Sequence, residues 1–466
     1  MSNNHHNTRI NLKNPAFLTV LLLGLVYFLS FIPVNYTGAK SLTMLGILSG
    51  DEAFQYPFLM QMMTSGVTLS ETLFHLISYG HYIYGYPFYV ISFLAALPIR
   101  LIYGAAAPEQ VQLNLLLLRQ FVSVLPIVVA IGIFTWLQTG FRSVWKTAFT
   151  FLILLIIPGV VRNNIQWWHP DAITILCIAL TFLFLSRDNL KFGRNFWLAA
   201  IFCGLSTSIK SIGVFFFLCI GGYLLYGLLI RKISLKKSII FGLLFILLML
   251  GVVFVTNPLL FYPAQRAKII QVHIDHQYFF THGWPNGDIY ETGLKAWLPV
   301  LEGWYGQAWL LIAISVLLVL SAILGPYRKI QLFLLGWCIP LSWYLIENIA
   351  VKPDHYWLPV MIPLFSSLFS LIPDKPESGQ QSFYSDYAHV LQKSNLHSPF
   401  LQKLSLRLDT ISIWWSRFSR RPIVFISLFS LLFAISAAWL SFSIPFDVSA
   451  YQSAYQQEAN YIKQHP

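Results

Sequence analysis

Residues 86–104 read YPFYVISFLAALPIRLIYG, a run apolar enough to cross a bilayer but interrupted by Pro87, Pro98 and Arg100. Its reading decides the topology, because counting it as a span moves every later loop to the other side of the membrane. The surrounding chain has 466 residues, of which 56% are hydrophobic and only 10% charged. Spanning a hydrocarbon core of roughly 30 Å takes about 20 helical residues, and apolar runs of that size recur from Pro15 to Phe446. The fold class is therefore an all-α polytopic membrane protein, with no soluble domain of ordinary size.

If 86–104 does not cross, the predicted spans are 15–33, 111–137, 145–163, 172–186, 196–209, 212–230, 238–257, 306–325, 331–349, 356–373 and 422–445. The distribution of Lys and Arg tests this reading, since they accumulate in cytoplasmic loops. With a cytoplasmic N-terminus, 20 of the 30 basic residues fall on the cytoplasmic side and 13 of the 18 acidic residues on the other. The bias holds from loop to loop. We therefore expect about 11 transmembrane helices, with the N-terminus cytoplasmic, the C-terminus outside, and 86–104 lying in the outer interface or re-entering it, as irregular backbone does where protein covers it. The first run lacks a small-residue cleavage site and is read as a retained span.

The 35 residues from Phe196 to Ile230 reach about 52 Å as helix, too long for one crossing. They are expected to form a hairpin turning at residues 206–211, with Lys210 at its outer end. The predicted organisation is a transmembrane module over 1–373, with outer loops at 34–110 (containing interfacial helices) and 258–305. A cytoplasmic amphipathic segment over 374–421 follows, then 422–466 as a final span and short outer tail. The basic piece FLQKLSLRLDTISIWWSRFSRR in 374–421 suits an interfacial helix on anionic lipid. The formal charge of +12 is scattered through short loops, so it reports topology and gives no sign of a nucleic-acid partner. Cys177, Cys203, Cys219 and Cys338 lie in apolar runs without metal-type spacing.

On this topology the unusual polar residues gather on the outer side. They include Asp51 and Glu52 in SGDEAFQYPF, His81, the Trp167–His169 cluster with Asp171, Lys210, Arg266, His273 and His276, and His355 beside Tyr356. Each has a plainer use taken alone: acids favour helix N-termini, Trp belts sit at interfaces, and a lysine can reach for headgroups. His273 and His276 have helical i,i+3 spacing, which suits a metal ion but leaves a third ligand unspecified. Together the residues suit a specific chemistry. A carboxylate can act as general base on an acceptor hydroxyl, while Lys, Arg, His or a bound cation neutralises a departing phosphate. No phosphate-binding glycine loop or nucleotide-binding motif is present, so an activated donor would arrive in the membrane, on a lipid phosphate.

The order of these motifs resembles integral-membrane glycosyltransferases of the GT-C class, in the branch of protein O-mannosyltransferases and the lipid A aminoarabinose transferase. GDEAFQYPF matches an Asp-Glu pair that follows the first span in that family. Asp171 in WWHPDAITIL matches an acidic residue preceding the fourth span, and Ser208-Ile-Lys210 resembles a Thr-Lys at the end of a short span. VHIDHQYFF is similar to a histidine-bearing outer-loop segment, and HYWLPVMIP resembles a Tyr-x-Leu-Pro element. A Glu-Lys-Pro element of the aminoarabinose branch is replaced by GHYIYGYP, with neither its Glu nor its Lys.

The resemblance implies a GT-C-like fold and a polyprenyl-phosphate-linked sugar as donor, transferred with inversion on the periplasmic face of a bacterial inner membrane. The acceptor would be a lipid, glycan or protein. Asp51 is the expected base, with Glu52 orienting it or touching the sugar. Asp171, Lys210, Arg266, His169, Tyr356, His355 and His81 are expected to bind substrate, and His273 and His276 to hold a divalent metal cation. The alternative is a transporter or flippase of a lipid-linked saccharide. Such proteins carry internal repeats and ionisable or broken helices at mid-membrane, and neither feature stands out here.

Overall fold

A computed structural model describes residues 13–36, 40–283, 291–325 and 327–372, together with Gln456. The predicted cytoplasmic segment 374–421, the last span 422–445 and, apart from Gln456, the outer tail lie outside the described residues. All regular structure among the described residues is helical. The helices are apolar outward and more polar inward. Helix Pro15–Ser30 exposes Leu18, Leu21, Leu22, Leu25 and Leu29 while burying Ala16, Val20 and Gly24. Inside the bundle, Gln138 and Gln331 exchange side-chain hydrogen bonds, and Gln138 Nε2 also donates to Ser366 Oγ. This inversion is that of a protein whose solvent is hydrocarbon, where helices associate through small residues, close packing and interhelical hydrogen bonds. At Gly204 a Cβ would lie 2.8 Å from the carbonyl oxygen of Met249, so glycine lets helix Arg194–Lys210 approach helix Leu235–Val255.

Hydrogen bonds between distant segments define two ends of the bundle. At one, Asn14 Nδ2 donates to the carbonyl of Phe141, Lys146 Nζ to that of Ile372 and Lys329 Nζ to that of Ser186. At the other, which carries the candidate site, Asn35 Nδ2 donates to the carbonyl of Asn164, Gln112 Nε2 to that of Tyr36 and Asn257 Nδ2 to Ser208 Oγ. Each predicted span from 15–33 through 356–373 falls on helix among the described residues. The hairpin turn falls at Ser211, whose positive φ of 52° caps helix Arg194–Lys210 and leaves Lys210 at the site end, as expected.

By length and composition alone, six helices are able to cross a membrane, or seven if Leu294–Trp304 and Ala308–Leu324, bent by 95°, count as one span. That set includes Tyr86–Glu109 and omits Asp171–Asp188 and Arg194–Lys210. The anchors reverse both assignments. Gly85 N donates to the carbonyl of Ile209, and Gln112 reaches Tyr36, so the chain enters and leaves the 86–109 segment at the site end. Between these points Ser92 Oγ accepts from Trp168 Nε1, and Arg100 Nη2 donates to Ser65 Oγ. The segment lies across the end of the bundle. Its docking needs Gly85, where a Cβ would sit 1.7 Å from the carbonyl oxygen of Ser208. Helices Asp171–Asp188 and Arg194–Lys210 run the full length with lower apolarity, because neighbouring helices rather than lipid surround them.

Cysteines introduced at Ser65 and Glu109 will react with a membrane-impermeant maleimide from one side of a sealed vesicle, and a cysteine at Lys191 only from the other. The four native cysteines are buried and stay silent. Labelling of positions 65 and 109 from opposite sides would make 86–109 a crossing.

Candidate active site

The site end is organised by a carboxylate that does not face it. Helix Gly50–Met63 begins with Asp51 and Glu52 in its first turn, where the helix dipole favours negative charge. The two side chains diverge. Glu52 is fully buried and holds Arg119 through two hydrogen bonds, Nε to Oε1 at 2.9 Å and Nη2 to Oε2 at 2.5 Å. Its Oε1 also accepts from Trp168 N at 2.7 Å, and Arg119 Nη1 donates to the carbonyl of Asn35. Arg119 opens a π-helical turn, Arg119–Val124, inside an otherwise α-helical segment. Such bulges change the direction of side chains and recur at functional sites. One buried ion pair thus joins the end of the first span, the Asp51 helix and the Trp168 turn.

Asp51 is exposed, makes no hydrogen bond with any described residue, and lines a cavity of about 740 Å³. Across the cavity, Asp171 occupies the first turn of helix Asp171–Asp188 and Lys210 the last turn of helix Arg194–Lys210, each at the helix end its charge favours. Lys210 Nζ bonds Asp171 Oδ1 and lies 4.9 Å from the centre of the Tyr356 ring. His169 Nδ1 sits 2.7 Å from Asp171 Oδ2, and His355 Nε2 lies 3.8 Å from the same oxygen. His169 Nε2 shares a 2.6 Å hydrogen bond with the hydroxyl of Tyr84. His355 Nδ1 lies 3.5 Å from Asp354 Oδ1. Phe54, Phe215, Phe280, Leu341 and Tyr344 give the remaining cavity wall an apolar character.

Burial sets the protonation of the loop histidines. It lowers the His81 imidazole to about 4, with Asp51 opposing and His276 and His169 adding to the effect. His169 falls to about 4 mainly by burial, against the pull of Asp171. His276 is likewise lowered to about 4, by burial first and then by His273 and Lys210. These rings are neutral near pH 7, available as hydrogen-bonding or metal-binding groups. Burial would raise the Asp354 carboxyl, but His355 holds it below the usual carboxylate range.

Of the residues singled out from the sequence, Asp51, His81, Asp171, Lys210, His273, His276, His355 and Tyr356 line this cavity together. Three do not. Glu52 is sealed against Arg119, which leaves it an orienting part and no contact with the cavity. His169 is buried behind Asp171. Arg266 is exposed on helix Pro263–His282 and donates to the carbonyl of Leu260, outside the cavity lining. His273 and His276 line the cavity, but the three-donor cluster able to hold a metal ion among the described residues is His169, Asp171 and His355. Sequence reasoning missed Arg119 and Tyr84. A single arginine inside the apolar run 111–137 was the available signal for the first, and the tyrosine-rich GHYIYGYP for the second.

These features define an integral membrane protein with an ionisable cavity at an end of its helical bundle. Among solved structures the chain is similar to ArnT from Cupriavidus metallidurans, crystallised bound to undecaprenyl phosphate. The likeness is at 14% identity, with a TM-score of 0.46, over 91% of this chain and 74% of that one. No protein-family model matches the chain, and a comparison with curated protein sequences finds no match.

Removing one member of a buried ion pair strands the other, at a cost of about 3–5 kcal/mol. Glu52→Gln will lower the unfolding free energy in detergent by that order, and adding Arg119→Met will recover part of the loss. No destabilisation by the single variant would make the pair incidental. For His81, the folded pKa lies below the unfolded one, so its contribution to stability is present above about pH 6.5 and lost as pH falls towards 4. Melting temperatures of His81→Asn will therefore fall less steeply than wild type across that window. Parallel curves would contradict the buried neutral ring.

Proposed function

We propose that the protein is a glycosyltransferase that moves a sugar from a polyprenyl phosphate to an acceptor hydroxyl, with inversion, on the periplasmic face of a bacterial inner membrane. The observation that carries this reading is the placement of Asp51, a carboxylate with no hydrogen bond to any described residue, on the same cavity as the Asp171–Lys210 pair. In a single displacement, the acceptor oxygen attacks the anomeric carbon from the face opposite the phosphate. Asp51 takes the hydroxyl proton as the new C–O bond forms. The bond from the anomeric carbon to the phosphate oxygen breaks, and its electron pair leaves on the polyprenyl phosphate, whose charge Lys210 offsets. Asp171 holds Lys210 in place, and the neutral imidazoles of His81 and His276 supply hydrogen bonds to sugar hydroxyls.

The apolar wall of Phe215, Phe280 and Leu341 suits the first isoprene units of a lipid donor. Acceptor hydroxyls of a lipid, glycan or protein would approach from the Asp51 side. A transporter of the same lipid-linked sugar would need the phosphate binding but no base. Asp51 is the residue that separates the two readings.

Removing a general base typically costs 10²–10⁴-fold. With a panel of polyprenyl-phosphate sugars, Asp51→Asn will insert and melt like wild type yet release polyprenyl phosphate at least 100-fold more slowly. Undiminished release by the variant would refute the role of Asp51. Failure of wild type to turn over any donor, alongside movement of the lipid across vesicles, would favour the transporter.

A further inference from the structure

We propose that His169 Nδ1, Asp171 Oδ2 and His355 Nε2 form a binding site for one divalent cation of the zinc type on the cavity wall. The three donor atoms lie within 4.8 Å of one another. In a tetrahedral zinc site with ligands at about 2.0–2.2 Å, neighbouring donors are roughly 3.4 Å apart. The separations from Asp171 Oδ2, 2.7 Å to His169 and 3.8 Å to His355, bracket that value.

Charge and hydrogen bonding argue against a plain ion-pair cluster. Asp171 already has Lys210 as its counter-ion through Oδ1, so neither imidazole is required to balance its charge. His169 Nδ1 and Asp171 Oδ2 lie 2.7 Å apart and are buried from solvent, and no other polar atom among the described residues is hydrogen-bonded to either. Buried polar atoms of this kind call for an explanation. A shared cation satisfies both at once.

The surroundings are those that orient metal ligands. Metal-binding histidines use their second ring nitrogen to bond a fixed partner, which sets the tautomer and the ring direction. Here the Tyr84 hydroxyl holds His169 Nε2, Asp354 lies beside His355 Nδ1, and Lys210 holds the other oxygen of Asp171. Two imidazoles and one carboxylate match the donor set of zinc sites that keep a fourth position open. Asp171 and His355 both line the cavity, so that position faces the space where a substrate oxygen would sit. Cation binding stands on this geometry alone. Its use there, polarising a phosphate oxygen of the donor, rests on the glycosyltransferase reading.

The test uses full-length protein in detergent, stripped with chelator and titrated with zinc chloride without any donor. The expected result is one zinc per chain by elemental analysis, an X-ray absorption spectrum with two imidazole ligands, and at least tenfold weaker binding in His355→Ala. His273→Ala and His276→Ala should bind as wild type does. Failure to take up one equivalent, or unchanged affinity in His355→Ala, would overturn the site. So would loss of binding in the His273 or His276 variants alone. If His355→Ala fails to fold, the wild-type stoichiometry and spectrum still decide the matter. Either outcome is readable whether or not the protein transfers a sugar.

Discussion

The architecture of the candidate site depends on one buried ion pair. Glu52 and Arg119 are 67 positions apart in sequence, and through them the first span, the Asp51 helix and the Trp168 turn are tied together. Burying a carboxylate and a guanidinium is costly unless they are paired and their remaining hydrogen-bonding capacity is used. Here both oxygens of Glu52 are bonded and Arg119 also reaches a backbone carbonyl. Because Glu52 adjoins Asp51 and Trp168 adjoins His169, the pair fixes the two walls of the cavity relative to each other.

From that constraint the electrostatics of the cavity follow. Asp51 lines the cavity with no hydrogen bond to any described residue, whereas Asp171 is paired with Lys210 and lies against His169, whose imidazole burial keeps uncharged. Two carboxylates on one cavity thus have different environments and can serve different ends. One is free to accept a proton; the other holds a cation, Lys210, in position. The chain crosses the end of the bundle at 86–109 to complete the enclosure, and Tyr84, just before that segment, supplies the hydroxyl bonded to His169.

Much of the fold was legible because hydrocarbon admits few solutions. Backbone groups in lipid must bond internally, so long apolar runs become helices, and charge bias gives their parity. That logic set 86–104 apart from the crossing helices, where composition alone makes it a span. The convergence of His81, Asp171, Lys210, His355 and Tyr356 was also legible, since topology sends their loops to one end. Which way a side chain points was not. Arg266 lies in the expected loop but on an exposed helix face, and Glu52 turns inward although its neighbour faces the cavity. Arg119 looked like an anomaly in an apolar run because its partner is remote in sequence. The His169–Asp171–His355 cluster joins loops more than 180 residues apart, which no local spacing reveals.

The central claim is that this cavity holds a lipid-linked sugar phosphate between Asp51 and Lys210. An electron cryomicroscopy structure with a non-hydrolysable polyprenyl-phosphonate sugar tests it most directly. The account predicts the phosphonate within hydrogen-bonding distance of Lys210, with the anomeric carbon turned towards Asp51 and the first isoprene units against Phe215 and Phe280. A sugar phosphonate bound elsewhere, or one whose anomeric carbon faces away from Asp51, would contradict it.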